Sequence, residues 1–108
     1  MTAVALTTTS ALFGCSGGGP QTPVQRGRDV YMTNCVVCHN SDPNLPGLLG
    51  PAIAGSSRAL IRDRILYLSY PPGYKPQRKT HAMRAFPKLA PEIDNLAAFL
   101  QAAKTGKE

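Results

Sequence analysis

The chain has no tryptophan, and its aromatic content is limited to four tyrosines and three phenylalanines. No run of about 18 consecutive apolar residues occurs, so a membrane-spanning helix is not encoded. No stretch alternates apolar and polar residues as a half-buried strand would, and no internal repeat is present. Acidic residues are scarce, six against twelve Lys and Arg, which leaves a formal net charge of +6. Asp29, Asp42, Asp63, Glu92, Asp94 and Glu108 are scattered, and none pairs with a nucleophile to form an acid–base set. Nucleic acid is a poor partner despite the charge, because no platform of interleaved aromatic and basic residues is present.

Cysteine is also rare, yet two of the three fall in Cys35-Val36-Val37-Cys38-His39. C-x-x-C-H is the attachment sequence for c-type haem: two thioethers fix the porphyrin vinyl groups, and the adjacent histidine can ligate the iron. Two other readings compete. A dithiol redox pair calls for a thioredoxin-like strand–turn–helix setting, and zinc calls for four ligands; the sequence supplies neither. At 108 residues, with foldable sequence from about Val24, the chain holds one small domain. About 80 residues make a marginal core, so a covalently held apolar disc is expected to complete it, and the haem-free chain is expected to be largely disordered.

The third cysteine ends Ala11-Leu12-Phe13-Gly14-Cys15, after an uncharged stretch that starts at Met1. This resembles a bacterial lipobox, in which the leader is cut before the cysteine and the new terminus is lipidated. It departs from a usual leader in having no Lys or Arg before Arg26 and in the run Thr7-Thr8-Thr9. The alternative is a free cysteine in a tail. Ser16 to Pro23 is rich in Gly and Pro and reads as a flexible tether reaching about 15 to 20 Å. The expected organisation is therefore a leader over 1–14, a tether over 15–24 and a folded domain over 25–108.

Three helices are expected in that domain. Gly27, Val30 and Tyr31 mark one face of a helix from Gln25 to about Thr33. Ser57 can cap a second, running to about Ser69, with Leu60, Ile61, Ile65 and Leu68 inward and Arg58, Arg62 and Asp63 toward water. A third runs from Pro91 to about Ala103, with Pro91 at its first position and an inner face of Ile93, Leu96, Ala97 and Leu100, Phe99 lying alongside. Asp42 to Gly47 and Tyr70 to Gly73 are loops. The fold class is all-α.

Taken together, these features resemble a class I cytochrome c of the small bacterial kind over about Val24 to Ala103. Gly27, Tyr31 and Cys35, each four residues apart, match that family's helix-crossing glycine, aromatic and first cysteine; Leu96 to Leu100 with Phe99 match its last helix. The resemblance implies three to four helices around one covalent haem c, and export from the cytoplasm to the periplasmic side of a bacterial membrane. It also implies that Pro51, twelve residues after His39, accepts the Nδ1 proton of the proximal histidine through its carbonyl. An ordinary turn at Gly50-Pro51 is the alternative.

For the second axial ligand the resemblance points to Met83, which precedes Pro87 and the last helix, although Arg84 follows it where the family often has proline. His81 is the alternative, giving a bis-histidine iron of lower potential. Met32 sits too near the haem motif to serve. Lys75, Arg78, Lys79, Arg84 and Lys88 fall in one stretch without an acidic residue. In the family that region borders the haem edge, so the stretch is expected to steer an acidic redox protein or membrane complex; a solvated loop without a partner is the alternative. The implied function is single-electron transfer by a lipid-tethered carrier and not an enzymatic reaction. A fixed haem subunit of a larger oxidoreductase, and a haem-based sensor or peroxidase, remain open.

Overall fold

The computed structural model describes residues 2–5 and 19–106, and Cys15 with most of the segments expected to be leader and tether lies outside them. The described residues contain helices and loops and no strand, in agreement with the all-α expectation. No described helix is long and apolar enough to cross a membrane.

Helix α1 spans Pro23–Asn34. Its start is set by a reciprocal cap: the Gln25 amide donates to Thr22 Oγ1 at 3.2 Å, and the Thr22 amide donates to Gln25 Oε1 at 2.9 Å. Pro23 occupies the first turn, where a missing N–H costs nothing. The helix thus begins inside the segment assigned to the tether, two residues before Gln25. Gly27, Val30 and Tyr31 form its buried face.

Helix α2 is short, Arg58–Arg62, and Ser57 caps it by accepting from the Leu60 amide at 3.1 Å. It widens at once into a π-helical turn, Asp63–Tyr67, which ends at Leu68 in the left-handed conformation with φ 52°. This corrects the expected single helix to Ser69. A residue added to a turn rotates every later side chain about the axis, so the 3.6-residue stripe fails after Ile65. Leu68, expected inside, is exposed, and Asp63, expected in water, is buried beside Arg62, which donates to it at 3.0 Å.

A 3₁₀ turn, Pro87–Glu92, leads into helix α3, Ile93–Thr105. Pro91 lies inside the 3₁₀ turn and not at the first position of the α-helix. The Glu92 carboxylate reaches across to α1, where Arg26 grips it with Nε at 3.1 and 3.2 Å and Nη2 at 2.6 Å. This contact and the Asn95 amide hold Glu92 below the usual carboxylate range, and Glu92 in turn raises Arg26.

Helices α1 and α3 cross at Gly27. A side-chain carbon there would lie 1.9 Å from the Asn95 carbonyl oxygen and 2.8 Å from Phe99 Cβ, so only hydrogen fits. The close crossing seats Tyr31 against Phe99 with ring centroids 5.3 Å apart and an interplanar angle of 46°. Phe99 is fully buried, more central than the sequence pattern suggests. Val30, Ile61, Ile65, Ile93, Leu96 and Leu100 complete the core.

Candidate functional site

Cys35 closes α1, its amide donating to Tyr31 O at 2.8 Å, and the chain then makes one further helical turn in which His39 N–H donates to Cys35 O at 2.9 Å. That turn brings Cys35, Cys38 and His39 to one cavity, of about 370 Å³. The Tyr31 hydroxyl donates to the Asn40 carbonyl, tying the end of the motif to the helix before it. Burial pushes the Tyr31 phenol well above its ordinary range, so it stays a donor across the physiological range.

The loop after the motif folds back onto it. Leu49 and Gly50 amides both donate to Cys38 O, at 3.2 and 2.9 Å. Gly50 lies flat against the imidazole: a Cβ would sit 2.4 Å from His39 Cε1 and 2.5 Å from Nδ1. His39 Nδ1 is 2.9 Å from the Pro51 carbonyl oxygen. A carbonyl can only accept, so Nδ1 carries the proton, and in a neutral ring the lone pair is left on Nε2.

The cavity wall is mainly the core itself, with Ile61, Ile65, Leu96 and Leu100 facing it. Met83 lines it too, half-buried, whereas His81 is exposed and absent from the lining. These residues fit a covalent iron porphyrin: two thiols one helical turn apart, an imidazole with a free ring nitrogen, a thioether, and apolar walls for the macrocycle. They fit the competing readings poorly. Burial, with a smaller contribution from Cys38, pushes the Cys35 thiol up to about 11, the opposite of an activated redox dithiol. Among the described residues no group of three or more His, Cys, Asp or Glu gathers as a zinc site requires.

Of the five basic residues in the 75–88 stretch, Lys75, Lys79, Arg84 and Lys88 are exposed. Arg78 is half-buried and turns inward, its Nη2 3.4 Å from the Gly47 carbonyl, and Arg84 lies over the Phe86 ring at 5.2 Å. The structure adds residues that the sequence pattern does not single out. Arg64, in the π turn, lines the cavity with its guanidinium 4.2 Å from the Tyr70 ring centroid, and Tyr70 stacks on Tyr74 at 5.3 Å. No motif or spacing could have found this group, because the π turn and an aperiodic loop bring it together.

Comparison with curated proteins returned no match, and neither did comparison with solved structures. Comparison with protein families matches residues 24–104 to Cytochrome c, a group defined by covalent haem c and haem-based electron transfer. With three-quarters of its length matched over the domain that holds this cavity, the chain belongs to the cytochrome c family.

Proposed function

We propose that the chain is a single-haem electron carrier, held at the periplasmic side of a bacterial membrane by a lipid on Cys15. One observation carries the finer reading: His39 and Met83 line the same apolar cavity, while His81, two residues from Met83, is exposed. Haem c, when bound there, supplies a one-electron Fe(II)/Fe(III) couple. Cys35 and Cys38 would hold it by thioethers. The Pro51 carbonyl keeps the proton on His39 Nδ1 and so reserves Nε2 for the iron. Met83 offers a soft sulfur that favours the reduced state, and Ile61, Ile65, Leu96 and Leu100 keep water out.

If His39 and Met83 both held the iron, no position would be left for oxygen or substrate, which would suit a carrier and not an enzyme. Arg64 and Arg78 line the cavity without a carboxylate partner among the described residues and suit the carboxylate groups of the porphyrin. Lys75, Lys79, Arg84 and Lys88 then steer an acidic redox protein or membrane complex. Potentiometric titration of the optical spectrum tests the reading. A single reversible one-electron wave from a low-spin haem is expected; a high-spin reduced spectrum would replace the carrier with a sensor or peroxidase. Mass spectrometry tests the tether, which fails if the mature chain retains residues 1–14 and an unmodified Cys15.

A further inference from the structure

The stretch that carries Met83 has little backbone support. From Lys75 to Ala85 there is no helix, and among the described residues no main-chain group there bonds to another. The flanking bonds are Tyr74 N–H to Pro71 O at 3.1 Å and Phe86 N–H to Ile65 O at 2.7 Å. Two side chains hold the stretch between them. Gln77 Nε2 donates to Ala52 O at 3.1 Å, and Arg78 Nη2 reaches Gly47 O at 3.4 Å.

Both acceptors belong to the loop that backs His39. Ala52 follows Pro51, whose carbonyl takes the His39 Nδ1 proton, and Gly47 lies so close to the motif that a Cβ would sit 2.6 Å from His39 Cα. That loop is itself firmly held, since the Gly47 amide donates to Gly50 O at 2.9 Å and the Leu49 and Gly50 amides donate to Cys38 O. The two bonds therefore run from the segment bearing one candidate axial ligand to the segment that orients the other. We infer that Gln77 is a positioning residue, a strap that ties the Met83 segment to the His39 loop and keeps the Met83 sulfur at the cavity. The inference rests on the carrier reading and adds what holds its second ligand in place.

The two bonds are unequal. At 3.4 Å the Arg78 contact lies beyond the ordinary N–H···O range, whereas the Gln77 bond lies within it. Shortening the free stretch to Lys79–Ala85 helps only as the logarithm of its length, so the Gln77 bond itself supplies most of the hold. A neutral hydrogen bond of this kind is worth about threefold to tenfold in an opening equilibrium. Arg78 also faces the proposed porphyrin carboxylates, which makes Gln77 the cleaner position to test.

Stopped-flow binding of imidazole to the oxidised full-length holoprotein reads the hold. Imidazole takes the sixth position only after the resident side chain leaves, so at high concentration the rate levels off at the rate of that departure. Gln77→Ala is expected to raise the plateau about threefold to tenfold, and Gln77→Glu, equal in size but without the donor, at least as much. Gln101→Ala removes amide bonds of the same kind to Gly55 O and Ser56 O, and is expected to leave the plateau within about twofold.

A plateau equal in Gln77→Ala and its parent would overturn the strap. So would the parent's plateau in Gln77→Glu, which makes bulk and not the bond responsible, or an equal acceleration by Gln101→Ala, which makes Gln77 a general stabiliser. A parent whose rate climbs with imidazole without levelling has no side chain to displace. That result fails the carrier reading itself and is distinct from a levelled rate indifferent to Gln77.

Discussion

Replacing Gly27 with alanine puts a methyl group 1.9 Å from the Asn95 carbonyl oxygen, 2.6 Å from its carbon and 2.8 Å from Phe99 Cβ. A relaxed carbon–oxygen contact is about 3.3 Å, so α3 must withdraw by about 1.4 Å. None of the obstructing atoms lies at the end of a flexible side chain, so the relief has to come from the helix as a whole. A gap of that size forfeits half or more of the dispersion energy across the seam, where Tyr31, Leu96 and Phe99 are almost fully buried. Alanine also gains about 1 kcal/mol of helix propensity over glycine. The loss exceeds the gain, and the net destabilisation expected is about 2–4 kcal/mol. For a domain of this size that lowers the thermal midpoint by about 10–25 °C, readable by far-UV circular dichroism of the holoprotein. A Gly27→Ala midpoint equal to or above the parent's would refute the close crossing.

The site and its supports give three further expected outcomes. Met83→Ala is expected to lower the reduction potential and convert the haem from low spin, whereas His81→Ala leaves both unchanged; optical spectra with redox titration check the pair. Gly50→Ala, with its Cβ 2.4 Å from His39 Cε1, must tilt the imidazole off the Pro51 carbonyl, and a shift in potential measured by the same titration is expected. Glu92 has a folded-state pKa below its unfolded value, because Arg26 and Asn95 favour the carboxylate. Its stabilising contribution is therefore complete above the ordinary glutamate value of about 4.3 and is lost as pH falls through the depressed one. Urea midpoints taken from pH 7 down to pH 2.5 should fall more steeply in acid for the parent than for Glu92→Gln.

Much of this architecture was legible because local chemistry and tertiary packing agree. Gly27, Val30 and Tyr31 share a helical face and a buried one, and the same holds for Ile93, Leu96 and Leu100. The Thr22–Gln25 capping box was equally readable and marks the helix start more sharply than the apolar periodicity, which begins only at Gly27. The second helix was misread because a π turn has no sequence rule comparable to the 3.6-residue stripe. Periodicity carried past Ile65 puts Leu68 inside, where the widened turn leaves it exposed; Asp63, expected outside, is buried at the start of that turn. At the site, fixed spacing points to His39 and Pro51, whereas Arg64, Tyr70 and Tyr74 meet through a loop that has no period to read. Arg78 looked like a surface charge because nothing in its neighbours shows that Gly47 O lies within its reach.

Carbon monoxide added to the reduced holoprotein tests the central claim most directly, since it reports whether an iron held through Cys35, Cys38 and His39 would have a place for an outside ligand. A closed carrier ligated by His39 and Met83 predicts a reduced spectrum unchanged by the gas at neutral pH. Prompt, stoichiometric formation of a carbonyl complex would contradict it and make the chain a ligand-binding haem protein.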